Sequence, residues 1–265
     1  MRGLITLTTD FGTSDWYVAS MKGVILSRHP CCTIVDITHE IPPGDLFQAA
    51  WVLRQALPCF PMGTVHLVVV DPGVGTSRAA LAARAGGFFF VGPDNGVLSL
   101  ALELYPQVEL RRIENKDMML RPPSPTFHGR DIFAPAAAHL ASGGRLASLG
   151  PEMKSWVRLE QPPLSFGEGF IEGRIVYVDR FGNGVTNIEE KALSQMCHKG
   201  KFRIMVGESL VLDSMKKTYG EALPGEPLAL IGSSGFLEIA ARGASAKERL
   251  GLKAGETKVV VQGVK

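Results

Sequence analysis

An α/β N-terminal domain with a mainly parallel sheet, followed by an all-β, barrel-like C-terminal domain, is the fold class this 265-residue sequence predicts. Three observations predict it. Strand-like and helix-like segments alternate up to about residue 150, the pattern of a mainly parallel sheet with helices on its faces. Residues 151–168 then carry proline and glycine with little periodicity, which reads as a linker. Beyond them come short strands separated by glycine and asparagine turns, the texture of a small barrel or sandwich. The predicted domains are 1–155 and 168–265.

In order along the chain, Leu4 to Thr8 reads as a strand and Trp16 to Arg28 as a helix with apolar residues at helical spacing. Thr33 to Ile37 is again strand-like. Asp45 to Leu57 reads as a helix entered through P-P-G-D, with Asp45 near the cap. Val65 to Val70 is a fully apolar strand save for His66, and Leu81 to Arg84 and Phe88 to Val91 are short strands around a Gly-Gly turn. Asn95 to Tyr105 and Asp131 to Ser142 look helical, with Val108 to Ile113 a strand between them. In the second domain the expected strands are Gly173 to Val178, Phe202 to Val206, Leu228 to Ile231, Phe236 to Ala240 and Lys258 to Gln262.

A hydrophobic fraction of 45% and a charged fraction of 20% are those of a soluble chain with a substantial core. A net charge of +2, with lysine and arginine scattered, marks no nucleic-acid surface. No apolar run reaches the roughly 18 residues that span a membrane. The opening M-R-G-L-I-T-L-T-T-D meets polar residues too early for a signal-peptide core, so the expected location is cytoplasmic. Cys31, Cys32, Cys59 and Cys197 form no C-x-x-C, and the adjacent Cys31 and Cys32, which open a predicted strand, read as buried thiols rather than a bridge or a metal site.

Two motifs carry most of the chemistry. D-P-G-V-G-T-S-R (Asp71 to Arg78) follows a buried strand, and T-F-H-G-R-D (Thr126 to Asp131) opens an alanine-rich helix. They bring a carboxylate, a guanidinium and an imidazole to the carboxyl edge of a sheet, where open α/β sheets bind ligands. Arg78 pairs with Asp71 either to hold the loop or to keep an ionised carboxylate aimed at a water. His128 beside a helix start is either an entry hydrogen bond or a neutral imidazole with a dipole-lowered pKa. Asp10, in T-T-D-F-G, is placed to accept from a ribose diol or to shape a turn.

Three further segments carry candidate residues. Asn95, in V-G-P-D-N-G-V, sits near an expected helix cap. D-R-F-G-N (Asp179 to Asn183) offers Phe181 to stack on a purine and Asn183 to read its edge, or simply a tight turn. I-G-S-S-G-F-L-E-I-A (Ile231 to Ala240) offers hydroxyls and amides before a strand. The D-F-G and H-G-R-D segments mimic protein-kinase signatures in the wrong order, and no Walker A or G-x-G-x-x-G occurs. The histidines lack metal-ligand spacing, so no metal is expected.

Taken together and in order, T-T-D-F-G, V-V-D-P-G-V-G-T-S-R, G-P-D-N-G-V-L, F-H-G-R-D-I-F-A-P, Y-V-D-R-F-G-N and G-S-S-G-F-L-E-I-A resemble the S-adenosyl-L-methionine (SAM) hydroxide adenosyltransferases, relatives of the SAM-dependent fluorinase and chlorinase. The resemblance runs from Leu4 to about Gly251. It implies hydrolysis of SAM to adenosine and L-methionine by water or hydroxide attack at the ribose C5′, with SAM as substrate and no cofactor. It implies Asp71, Arg78 and His128 as the catalytic group. Asp10, Asn95, Asp179, Phe181, Asn183, Ser233, Ser234 and Glu238 are the implied substrate-binding residues. Within these, Asp10 falls to the ribose and Asp179 to the methionine end, and A-A-R-G-A (Ala240 to Ala244) supplies backbone to adenine with no role for Arg242. A homotrimer with the ligand site between subunits is implied as well. The nearest rival is halide transfer, which an anionic Asp71 disfavours. A SAM- or adenosine-binding protein without turnover is the rival from another class, and a metal phosphohydrolase using Asp10, Asp71 and Asp131 is a distant third.

Overall fold

The structure, a computed structural model, describes residues 3–196, 202–208 and 210–263, which form two compact units, 1–159 and 160–265. The first unit contains strands β1 (Leu4–Thr9), β2 (Thr33–Thr38), β3 (Val65–Val69), β4 (Ala80–Ala85), β5 (Phe88–Pro93) and β6 (Val108–Arg112). Its helices are α1 (Tyr17–Arg28), α2 (Leu46–Ala56), the single turn α3 (Ser99–Leu102) and α4 (Ala134–Ala141). The sheet order is β2-β1-β3-β5-β4-β6. Strands β2, β1, β3 and β5 run parallel, and β4 and β6 pair antiparallel at one side.

Every residue of β3 is buried because the strand is central and covered on both faces, which is why its sequence is a nearly unbroken apolar run. Val65, Leu67 and Val69 point to the layer built from α1 and α4, with Met21, Ile25 and a run of alanines. Val68 and Val70 point to the opposite layer, with Ala49 and Leu53 of α2 and Leu98, Ala101 and Leu102. Helix α2 starts where the sequence places it, since the Asp45 side chain accepts from the Gln48 amide at 2.9 Å. The β4–β5 hairpin turns on Gly86 and Gly87, both at positive φ, the backbone a two-residue turn between twisted strands requires.

The second unit comprises β7 (Ser165–Gly167), β8 (Phe170–Val178), β9 (Gly184–Glu189), α5 (Glu190–Met196), β10 (Phe202–Val206), β11 (Leu210–Leu212), β12 (Pro227–Ile231), β13 (Phe236–Ala241), α6 (Ala246–Leu250) and β14 (Lys258–Gly263). The antiparallel order is β11-β10-β14-β8-β9-β13-β12, with β7 added to β8. Strand β8 pairs with β14 through Arg174 and with β9 from Ile175, so it turns the corner of the sheet. After β11 the chain comes back to β12, where Lys216 donates its amide to the Ala229 carbonyl at 2.8 Å. That contact nearly closes the barrel around Ile175, Ile188, Ile204, Leu237, Ile239 and Val259.

Some expectations fail. The segment Asn95 to Tyr105 contains only the one-turn α3, because residues 95–98 form a turn tied back to β3. Strands β7, β9 and β11 went unpredicted. Cys31 is exposed and Cys32 half-buried, so the buried-thiol reading does not hold for them; Cys59 is exposed, and Cys197 lies outside the described residues. No described helix is long and apolar enough to cross a membrane.

Candidate active site

Parallel strands end together, and in this sheet three of those ends carry chemistry. Asp10 follows β1, Asp71 follows β3, and Asn95 follows β5. Arg78 lies just before β4, whose first residue Ala80 pairs with the last of β5, Pro93, so it arrives at the same edge from the opposite direction.

Arg78 grips Asp71 with both arms. Its Nε donates to Asp71 Oδ1 at 2.9 Å, and its Nη2 donates to Oδ2. The same Nη2 donates to His128 Nδ1 at 2.8 Å. The side chains of Asp71 and Arg78 are only 5% and 10% exposed, so solvent screens this pair little. The guanidinium carbon also lies 5.1 Å from the centroid of the Phe133 ring.

This geometry decides the histidine tautomer. A guanidinium has no acceptor and stays protonated, so Nδ1 of His128 is the acceptor and the neutral ring carries its hydrogen on Nε2. Burial lowers the His128 pKa from its ordinary 6.5, and the Arg78 charge lowers it further against the opposing pull of Asp71 and Asp131. The expected helix-entry hydrogen bond is not made. His128 precedes a π-helical turn, Gly129–Phe133, and its ring bonds Arg78 instead.

Backbone contact holds the two motifs together. Gly75 has φ +79°, and a Cβ there would stand 2.4 Å from the Pro125 carbonyl oxygen, so the loop after Asp71 lies directly against the segment leading to His128. Asp131, almost fully buried, anchors that segment by accepting from the Ser124 amide at 2.8 Å. Burial raises the Asp131 carboxyl pKa, but Arg130, bonded to both its oxygens, and the Ser124 amide outweigh burial and leave it below the usual range. Asp131 is therefore committed to structure.

Asp10 accepts from the Gly44 amide at 2.9 Å through Oδ2. An aromatic group adjoins it: Phe11, Tyr17 and Phe127 pack with centroids 5.2 to 6.0 Å apart, and Trp16 stands on Tyr17. Asn95 is not a helix cap. Its Nδ2 donates to the Val70 carbonyl at 2.9 Å and its Oδ1 accepts from the Val97 amide, which ties the β5 end to the β3 end beside Asp71.

The second unit holds a cavity of about 660 Å³ lined by Asp179, Phe181, Asn183, Ser233, Glu238 and Tyr219, among others. Phe181 is 77% exposed, a flat apolar face open to a ligand. Asp179 is largely committed to its own turn, accepting from the amides of Phe181 and Asn183 and from Asn183 Nδ2. That last bond turns the Asn183 side chain so that its oxygen remains as an acceptor. Ser234 follows Ser233 in the same exposed turn between β12 and β13.

Sequence reasoning missed Tyr219, whose hydroxyl donates to Glu238 Oε1 at 2.7 Å. Burial raises the Glu238 pKa, and the nearby Asp179 charge adds to this against the tyrosine bond. Arg242, given no role by the sequence, donates to the carbonyls of Gly220 and Ala222 and so pins the turn that carries Tyr219. No local pattern around Tyr219 signals this, since its partner lies 19 residues away. Among the described residues no group of three or more histidine, cysteine, aspartate or glutamate side chains is arranged to hold a metal ion.

Comparison with known proteins identifies the family. A family model described as the SAM hydroxide adenosyltransferase N-terminal domain matches residues 5–150, and its C-terminal counterpart matches residues 173–259. A Thermus thermophilus protein named (R)-S-adenosyl-L-methionine hydrolase is 42% identical over 261 residues, covering 93% of this chain and 95% of that one. One of the same name from Salinispora tropica is 38% identical, covering 98% of each. The crystal structure of a conserved Thermotoga maritima protein superposes with a TM-score of 0.91 at 38% identity, covering 97% of this chain and 99% of that one. Fluorinases are more distant relatives. The chain belongs to the SAM hydroxide adenosyltransferase family.

Proposed function

We propose that this protein hydrolyses SAM to adenosine and L-methionine, and that Asp71, Arg78 and His128 handle the water. The observation that carries the reading is the Arg78 guanidinium bonded to both Asp71 oxygens and to His128 Nδ1. The names of the Thermus and Salinispora relatives support SAM, in its (R)-sulfonium form, as the substrate.

The chemistry needs little from the leaving group. Attack at C5′ forms the O–C5′ bond and breaks C5′–S, and the bonding pair passes to a sulfonium that departs as a neutral thioether. No general acid is required there. The obstacle is the nucleophile, since water is weak and hydroxide scarce near neutral pH. His128 presents Nε2–H as a donor to the water oxygen, and Asp71, which retains lone pairs beyond its two bonds to Arg78, accepts the water proton. Arg78 holds both partners in place and stabilises the negative charge that builds as the proton leaves. Proton removal of this kind contributes about 10²–10⁴-fold. Fixing the oxygen in line with the C5′–S bond adds a proximity effect. The same anionic Asp71 opposes a halide in that place.

On this reading Asp10 binds the ribose diol, and Asn95 braces the sheet edge beside Asp71. Phe181 stacks on adenine and the Asn183 oxygen accepts from its amino group. Ser233 and Ser234 meet the polar end of the ligand, with Glu238 and Asp179 on the same cavity. SAM is the substrate, and no cofactor, metal or nucleic acid enters the scheme. A cytoplasmic homotrimer, in which each SAM is held by first-unit residues of one copy and second-unit residues of a neighbour, completes the proposal; light scattering gives the copy number.

The test is chromatography of purified protein incubated with each sulfonium epimer of SAM in ¹⁸O-labelled water, without added metal, with and without chloride. Adenosine carrying the label, released one-for-one with methionine, is the expected result. A 5′-chloro nucleoside would make the protein a halide transferase. Bound adenosine or SAM without turnover would leave it a binding protein.

A further inference from the structure

We propose that His39 is a positioning residue for substrate binding: it fixes the turn that carries Asp10, and the inference rests on the ribose role proposed above for that carboxylate. His39 is buried, 5% exposed, in the segment after β2, and the mechanism makes no use of it. It holds the Asp10 turn from both sides. Its ring Nδ1 lies 2.8 Å from Thr9 Oγ1, immediately before Asp10, and its backbone carbonyl accepts from the Gly12 amide at 2.8 Å, two residues after.

The direction of each bond follows from the partners. The Phe11 amide can only donate, and it does so to Thr9 Oγ1 at 3.3 Å; the hydroxyl has room for a second bond, to His39 Nδ1, whose direction is set by the ring tautomer. On the far side of the ring, Nε2 lies 3.1 Å from Asp36 Oδ1, within ion-pair range but not aligned as a hydrogen bond; a hydrogen on Nε2 faces that negative charge more favourably than a lone pair would, which makes Nδ1 the acceptor. Lys22 of α1 closes the series, with Nζ 2.6 Å from Asp36 Oδ2. Burial raises the Asp36 pKa, but Lys22 and His39 outweigh it and keep the carboxyl below its ordinary range. A line of oriented groups thus runs from α1 through β2 to the amide next to Asp10.

Its effect is on the carboxylate that meets the ribose. Asp10 Oδ2 is taken by the Gly44 amide, and binding a diol needs the remaining acceptor sites held to within about 0.5 Å. Loosening the turn should therefore weaken adenosine and SAM alike and leave the chemistry at C5′ untouched.

Four single variants, His39→Gln, His39→Asn, Thr9→Val and Asp10→Ala, and the double variant His39→Gln/Thr9→Val test this. Each is checked for folding by thermal unfolding, titrated calorimetrically with adenosine, and assayed for KM and kcat with SAM. Glutamine reaches the Nε2 position and keeps the Asp36 contact but offers no acceptor at Nδ1; asparagine places an oxygen near Nδ1 and loses Asp36. Expected is a loss of adenosine affinity of about tenfold in H39Q and T9V, the value of roughly one hydrogen bond, with KM raised alike and kcat within about twofold. The two losses should not add in the double variant, since they break one bond. H39N should recover affinity to within about threefold of wild type. Wild-type affinity in H39Q and T9V, alongside weakened D10A, would overturn the positioning role, as would H39N binding no better than H39Q. Unchanged affinity in D10A would remove the ribose role and this inference with it. A wild-type protein that binds adenosine but leaves SAM intact would sink hydrolysis alone, because the adenosine titrations still decide the role of His39.

Discussion

Replacing Arg78 by methionine removes four hydrogen bonds at once, two to Asp71, one to His128 and one to the Ala79 carbonyl, together with the guanidinium over Phe133, while keeping an unbranched apolar stem. Asp71 is then stranded at 5% exposure with its cation gone. Breaking a buried pair by deleting one partner costs about 3–5 kcal/mol, and the low exposure of both side chains leaves no reason to discount that figure heavily. A domain with about 5–15 kcal/mol of stability survives such a loss but is visibly weakened. Removing Asp71 as well, in the double variant Asp71→Ala/Arg78→Met, takes away the stranded charge, and stability should return to within about 1–2 kcal/mol of wild type. The double variant separates the two roles the pair could play. If the ion pair only closes the loop, restored stability restores turnover. If the pair handles water, the double variant is stable and its kcat is down by at least about 10³, with SAM affinity within about tenfold. Urea denaturation followed by tryptophan fluorescence measures the first quantity, since Trp16, Trp51 and Trp156 all lie in the first unit and report on it. Release of adenosine in a single turnover measures the second. A stable double variant that forms adenosine within about tenfold of the wild-type rate would refute the catalytic reading.

His128→Ala should lower kcat far more than it weakens SAM binding. In the wild-type enzyme the acid limb of the kcat profile should fall below pH 6.5, because burial and Arg78 lower the His128 pKa and the neutral ring is the working form; a limb centred above 6.5 would contradict this. His66, buried among Phe60, Phe88 and Phe90 with its Nδ1 on Thr6, has its pKa lowered by burial from 6.5 to about 4. The unfolded chain therefore takes that proton first. Stability is unaffected above pH 6.5, declines as pH falls below it, and has lost about 3 kcal/mol below pH 4. The apolar pair Thr6→Val/His66→Leu should flatten that decline in denaturation curves at pH 7 to 4, and an unchanged slope would assign acid sensitivity elsewhere. Gly75→Ala combines a positive φ with a carbonyl oxygen 2.4 Å from the new carbon, so about 1–3 kcal/mol of strain and a marked loss of turnover are expected; wild-type stability and rate would show that the loop can move aside.

The sequence by itself determined the elements whose cause is local. An almost unbroken apolar run specified β3 because a doubly covered strand needs nothing else, Asp45 specified the start of α2, and Gly86-Gly87 specified the β4–β5 turn. It also determined the Asp71–Arg78 pair, whose partners lie seven residues apart on one loop. What it could not determine depends on groups far apart in the chain. Asn95 looked like a helix cap because a strand–turn–helix pattern was expected, but only the packed sheet brings the Val70 carbonyl to its amide. Strand β9 is short and follows a tight turn, and it becomes a strand through its pairing with β8 and with β13, some 50 residues later. The His128 tautomer, the Tyr219–Glu238 bond and the His39–Thr9 grip on Asp10 each join side chains 19 to 50 residues apart. Composition and periodicity report which residues will be buried and which will turn. Which buried donor meets which acceptor, and therefore which way a proton points, is settled only when tertiary packing brings the partners to bonding distance.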